Sequence, residues 1–325
     1  MWVQVLLLIL GFVLLYFGAE WLVKGSANLA RSLGITPIVI GLTVVAFGTS
    51  SPELVVSVIS SIGEKSMIAV GNVVGSNICN IALVLGAAAV FAPLTADRSV
   101  IRRDIPLMLA ISVYLLIISI NSHISRFEGA TLFAGVILYT IFNYYISMRE
   151  SRYAKEPLSE TTAEIDEIGI IDSRARQIGL IVVGIAGVVI GAQVLINAAV
   201  IIMKTFGVGE KFIGLTIVAV GTSLPELATS IVAALRREMD ISIGNLVGSN
   251  VFNILCVIGV AGLVRPITIP GGLFESGLIY DYLMMMLTSS LPLVLMAKDH
   301  TIRRSGGLLL LGCYGAYLAY LIFTV

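Results

Sequence analysis

Apolar residues in this chain run in long blocks separated by short polar stretches. Blocks long enough to cross a bilayer as a helix, about 20 residues each, fall near 2–23, 35–62, 67–91, 104–121, 128–148, 178–200, 212–235, 241–264, 278–297 and 306–325. The pattern predicts about ten transmembrane helices, because runs of this length satisfy their backbone polar groups in lipid only as helices. Composition agrees: 58% of the 325 residues are hydrophobic and 12% charged, with a mean hydropathy of +1.01, against a globular norm of roughly 45–50% apolar and about 25% charged. The expected fold class is an all-α membrane protein with no separate extramembrane domain, whose surroundings are the lipid bilayer. Nothing in it suggests a nucleic-acid or obligate protein partner.

A formal net charge of zero conceals an asymmetry. If the N-terminus lies outside, the inner loops hold 15 of the 20 Lys and Arg residues, among them Lys24, Arg31, Lys155, Arg236, Arg237, Arg303 and Arg304. The outer loops hold the other five, Lys65, Arg126, Lys204, Lys211 and Arg265. Basic residues favour the inner side, so both termini are expected outside. No basic residue precedes the first block, which argues against a cleaved signal peptide. The longest polar segment, 149–177, mixes basic and acidic residues and is expected to be a cytoplasmic linker between halves 1–148 and 178–325. It lacks a D-x-D-x-D-G calcium loop. Cys79, Cys256 and Cys313 sit within apolar runs without paired spacing, which indicates packing residues rather than a disulfide or zinc framework.

The two halves are copies. Residues 41–94 align with 214–267 at a constant offset of 173, without a gap, and 25 of those 54 positions are identical. GLTVVAFGTSSPE from Gly41 matches GLTIVAVGTSLPE from Gly214; GNVVGSNICN from Gly71 matches GNLVGSNVFN from Gly244. Each copy occupies about five helices, an odd number, so the second enters the membrane from the opposite side. Transporters built as such inverted repeats place their site near the midplane, where helices are interrupted.

Pro52 and Pro225 would break their helices and release carbonyls around Gly48 and Gly221, and in hydrocarbon these need a protein, water or cation partner. Glu53 and Glu226 follow directly. On a continuous helix Thr49 and Ser50 share the face of Glu53, as Thr222 and Ser223 share that of Glu226. In the next helix of each copy the glycines permit close approach, while Ser76 and Asn80, or Ser249 and Asn253, point to one side. Together these groups form an all-oxygen cage with two carboxylates, suited to a hard cation such as Ca²⁺ and requiring no bound cofactor. His123 and His300 lie near predicted loops, away from it. Gly-x-x-x-Gly is often mere packing, and a membrane Ser or Thr often bonds its own helix. The carboxylates resist such readings, because an acidic residue at a helix centre costs about 2.5–3.5 kcal/mol to insert. Glu20 is better explained by an ion pair with Lys24, four residues on. Asn77 and Asn250 face away from Asn80 and Asn253 and read as packing groups.

G-T-S-x-P-E followed by G-N-x-x-G-S-N-x-x-N, twice at equivalent spacing, resembles the sodium/calcium exchangers of the calcium/cation antiporter superfamily, prokaryotic type. The resemblance implies about ten helices in inverted five-helix repeats and a secondary antiporter exchanging Ca²⁺ for Na⁺ by alternating access, in a prokaryotic inner membrane. By motif position the ion site would comprise Ala46, Thr49, Ser50, Glu53, Ser76 and Asn80 with Ala219, Thr222, Ser223, Glu226, Ser249 and Asn253, the alanines through their carbonyls. It also implies that the first and sixth helices move. Ser51 departs from the usual leucine, kept as Leu224, a change expected to be minor. Asn253 stands where many relatives carry Asp, which argues against potassium co-transport. A proton-coupled antiporter of Ca²⁺ or another divalent cation is the alternative within transport. A membrane hydrolase using Ser50 or Ser223 lacks a nearby base, so the chain is not expected to be an enzyme, and a passive channel would favour an open polar path over carboxylates at broken-helix centres.

Overall fold

The structure, a computed structural model, describes residues 2–153, 169–207 and 219–324. α1 (Trp2–Leu33) is one long helix. A turn through Gly34, in the left-handed region at φ 65°, leads to α2 (Pro37–Thr49) and α3 (Ser51–Ile62), two halves of one block bent by 47°. α4 (Ser66–Phe91), α5 (Ile105–Ser119) and α6 (Arg126–Tyr153) complete the first half. α7 (Arg174–Thr205), a helical turn at Ala219–Gly221, α8 (Leu224–Leu235), α9 (Met239–Val264), α10 (Leu278–Leu295) and α11 (Arg304–Thr324) form the second. Among the described residues, seven helices are long and apolar enough to cross a membrane, and the bent pair α2–α3 makes an eighth. The predicted block 104–121 corresponds to the shorter α5, extended at its start by the π-helical Val100–Asp104. Most of the expected linker (154–168, with Lys155) and the start of the second motif (Gly214 to Val218, with Lys211 upstream) lie outside the described residues.

Local chemistry explains the breaks. Pro52 and Pro225 occupy the first turns of α3 and α8, where a missing N–H costs nothing and φ is already suited to a helix. The chain therefore ends one helix and starts another at Ser50 and at Ser223. Within α4 and α9 the residues Cys79–Leu85 and Asn253–Ile258 are π-helical, a rare wide turn that tends to mark functional positions.

α1 and α7 pack against each other along their length, backbone to backbone. A Cβ on Gly18 would lie 2.6 Å from the Val188 nitrogen, and one on Gly184 would lie 2.5 Å from the Leu22 nitrogen. The pair leans on α8 rather than on its repeat counterpart α3. The consequence shows at equivalent positions: Ile59 on α3 is 63% exposed, whereas Val232 on α8 is 6% exposed. Two ion pairs fasten the covered end: Arg236 forms a fork with both oxygens of Glu20, and Arg31 donates to Glu238 at 2.7 Å. The expected Glu20–Lys24 pair is thus not the one formed; Glu20 reaches across to the turn after α8, where a guanidinium offers two parallel donors.

Two short antiparallel strand pairs, absent from the sequence reading, join the repeats outside the helices. β1 (Leu94–Thr95) pairs with β4 (Thr301–Ile302), and β2 (His123–Ile124) pairs with β3 (Ile267–Thr268). Each clip takes one strand from either half. Beside β4 the guanidinium of Arg303 holds the Asp299 carboxyl below its usual range.

Candidate functional site

The helix breaks converge at the centre of the bundle. Glu53 and Glu226 each sit in the first turn after a break, and both are fully buried. Thr49, Ser50, Ser76, Asn80, Ser223, Ser249 and Asn253 are buried around them, Thr222 is partly buried, and Ala46 is buried in the last turn of α2. Ala219 opens the helical turn before the second break. The Ala46 carbonyl accepts the Ser50 amide at 3.0 Å.

The hydroxyls of Thr49 and Ser50 reach the opposite repeat. Ser50 Oγ donates to Glu226 Oε1 at 2.9 Å. Thr49 Oγ1 donates to Asn245 Oδ1 at 3.1 Å, with the Ala46 carbonyl of its own helix at 3.4 Å and Ser249 Oγ at 3.5 Å. The expectation that Thr49 and Ser50 share a face with Glu53 assumes a continuous helix, and the 47° bend between α2 and α3 removes that premise. The Gly48 carbonyl is likewise not left for a ligand: Ser51 Oγ donates to it at 2.8 Å. Ser51 is therefore not a minor departure, since Leu224 at the equivalent position offers no such donor.

Asn77 and Asn250, expected to be packing groups, join the helices of the two repeats. Each meets the site asparagine of the other half. Asn253 Nδ2 donates to Asn77 Oδ1 at 3.0 Å, and Asn80 Nδ2 donates to Asn250 Oδ1 at 3.1 Å. A second pair of asparagines, Asn72 and Asn245, braces the approach to the carboxylates. Asn72 Nδ2 donates to the Glu53 carbonyl at 3.2 Å and to Ser57 Oγ at 2.9 Å, while Asn245 Nδ2 donates to Ser230 Oγ at 3.1 Å. Their recurrence as the second residue of both G-N-x-x-G-S-N motifs is the signal that marks them.

Close backbone approach makes this centre dense. A Cβ on Gly248 would lie 2.6 Å from the Leu42 backbone, and one on Gly244 would lie 2.8 Å from the Ile38 carbonyl oxygen. Several buried oxygens have no hydrogen-bond partner among the described residues, and six of them belong to the two motifs: both of Glu53, Oε2 of Glu226, Oδ1 of Asn80, Oδ1 of Asn253 and Oγ of Ser223. Unpaired buried oxygens cost free energy unless something satisfies them. These six buried oxygens, three of them carboxylate, are of the hard kind that a cation such as Ca²⁺ takes.

The comparisons with known proteins agree with this architecture. The family model described as sodium/calcium exchanger protein matches residues 3–145 and 176–323. The chain is 35% identical to the putative antiporter CaxA of Alkalimonas amylolytica over 100% of both chains. It is 35% identical to the inner membrane protein YrbG of Escherichia coli over 97% of this chain and 95% of that one, and 32% identical to the sodium/calcium exchanger MaX1 of Methanosarcina acetivorans over 99% of each. Among solved structures, the sodium-calcium exchanger NCX_Mj superposes with a TM-score of 0.81 at 31% identity, over 98% of each chain. A multi-pass, all-α membrane protein with two interlocked repeats and an oxygen-lined centre, this chain belongs to the sodium/calcium exchanger family, whose members are cation antiporters rather than enzymes.

Proposed function

We propose that the protein exchanges Ca²⁺ for Na⁺ by alternating access, with both ions competing for the oxygens at the centre. The six partnerless buried oxygens carry the reading. The ligand set is the one the motifs indicate: Thr49, Ser50, Glu53, Ser76 and Asn80 from one repeat, Thr222, Ser223, Glu226, Ser249 and Asn253 from the other, with the Ala46 and Ala219 carbonyls. Sodium and calcium are carried over from relatives named for them. Two buried carboxylates explain coupling, because an empty site with uncompensated charge is costly to enclose. A cation must therefore be bound before the pathway closes, which gives exchange rather than leak. The end bearing Arg31, Arg236 and Glu238 is assigned to the cytoplasm by its basic residues, with both termini outside and the protein in a prokaryotic inner membrane, as YrbG is named.

The test is Ca²⁺ uptake into proteoliposomes loaded with Na⁺ and diluted into Na⁺-free buffer, with Glu226→Gln as control and K⁺ and pH gradients varied in parallel. Uptake that needs the Na⁺ gradient, ignores K⁺ and vanishes in Glu226→Gln is the expected result. Uptake that follows the pH gradient and ignores Na⁺ would replace Na⁺ by protons as the coupling ion.

A further inference from the structure

Four asparagines stand around the pseudo-twofold axis, and elementary donor and acceptor rules fix how each amide points. An amide group has one accepting oxygen and one donating nitrogen, so its orientation follows from its neighbours. Asn77 has a backbone carbonyl beside it, that of Asn250, at 3.2 Å; only Nδ2 can face it. Asn250 has the carbonyl of Asn77 beside it at 3.3 Å, with the same consequence. The amide oxygens of Asn77 and Asn250 must then point the other way, where each needs a donor. Asn253 and Asn80 supply those donors through Nδ2. With their nitrogens engaged, Asn253 and Asn80 keep their oxygens free, and these two buried oxygens are among the partnerless ones. All four side chains are buried, at 1% exposure or less.

We infer that Asn77 and Asn250 are positioning residues: each, anchored on a backbone carbonyl of the opposite repeat, holds the amide of Asn253 or Asn80 with its oxygen toward the cation. This rests on the cation-site reading above and deepens it. A neutral amide can serve as a cation ligand on one face only, since its nitrogen carries hydrogens that repel positive charge. A chain that uses Asn253 where a carboxylate could stand therefore needs something to select the face. A carboxylate has no wrong face, because both of its terminal atoms accept.

That difference supplies the test. Direct Ca²⁺ binding is measured with the full-length protein in Na⁺-free detergent solution, for wild type, Asn77→Ala, Asn253→Asp and the double variant. Thermal unfolding of the ion-free proteins is measured in parallel. Loss of a partner that orients a ligand typically costs about 10- to 100-fold in metal affinity, so Asn77→Ala is expected to weaken binding by that factor in the wild-type background. In the Asn253→Asp background the same substitution is expected to change affinity by no more than about twofold, a non-additivity that reports direct coupling. The melting temperature of the ion-free proteins should fall in both backgrounds, because each loses the Asn77 bond to the Asn250 carbonyl, and by more in the wild type, where Asn253 also loses its acceptor. The mirror set, Asn250→Ala with Asn80→Asp, gives an independent answer should the first alanine variant not fold. An equal loss of affinity in both backgrounds, or no loss in either, overturns the positioning role and leaves the cation site standing. Wild-type protein that binds neither Ca²⁺ nor Na⁺ overturns the site itself, and this inference with it.

Discussion

Replacing Glu20 with glutamine removes one half of the fork that ties α1 to the turn after α8. Glu20 and Arg236 are partly exposed, at 24% and 34% of their side-chain surfaces, so solvent screens them. Exposed pairs are worth up to about 1 kcal/mol, and the two-pronged geometry places this one toward that limit. The second pair at this end, Arg31–Glu238, stays in place. The structure also shows why the loss should be directional. The positions equivalent to Glu20 and Arg236 are Gln193 and Gly63, and those equivalent to Arg31 and Glu238 are Lys204 and Lys65. Neither couple can form an ion pair at the opposite end. Exchanging the roles of the repeats, which inverted symmetry allows, carries α1 and α7 from α8 to α3 and breaks both pairs without making equivalents. Glu20→Gln should therefore favour the exchanged conformation by about 1 kcal/mol, roughly fivefold in population. Pulsed electron-spin distance measurements in a cysteine-free background, between labels at the exposed Phe17 and Leu235, read that population directly. Arg236→Gln should give the same shift, and the two together no more than either alone. An unchanged distance distribution, or effects that add, would refute the latch.

Other outcomes follow from the same structure. Glu226→Gln leaves Ser50 with a weaker partner and removes a charge from the cage, so Ca²⁺ binding by calorimetry should be lost while the protein remains monodisperse. Gly184→Ala places a methyl 2.5 Å from the Leu22 nitrogen, where backbone cannot yield; overpacking of about 1–3 kcal/mol should lower the melting temperature and slow exchange flux, whereas Gly312→Ala, with no atom near its added carbon, should leave both unchanged. Ser51→Ala removes the donor to the Gly48 carbonyl and should cost about 1–3 kcal/mol of stability, measured by thermal unfolding, with restoration by Ser51→Thr.

The fold was legible because its determinants are local or repeated. Apolar blocks, the offset of 173 and the two carboxylates can each be read along the chain, and the prolines mark the breaks at Ser50 and Ser223. What resisted reading lies across the repeat interface. Ser50 bonds Glu226, Asn80 bonds Asn250 and Glu20 bonds Arg236; no periodicity encodes such pairs, because each depends on how one half docks on the other. Treating residues 49–53 as one helix gave hydroxyl directions that the bend undoes. The strand clips were invisible for another reason: two-residue strands are too short to show alternation.

Those clips bear on how the protein is made. Leu94 pairs with Ile302, and Ile124 with Ile267, so β1 waits for a partner supplied just before α11, and β2 for one supplied after α9. Contacts of such sequence separation are closed late. During synthesis the strands of the first half therefore stay unpaired until the second half arrives. The inverted copy thus completes the first as a folded body, and a ribosome stalled before β3 would leave both clips open.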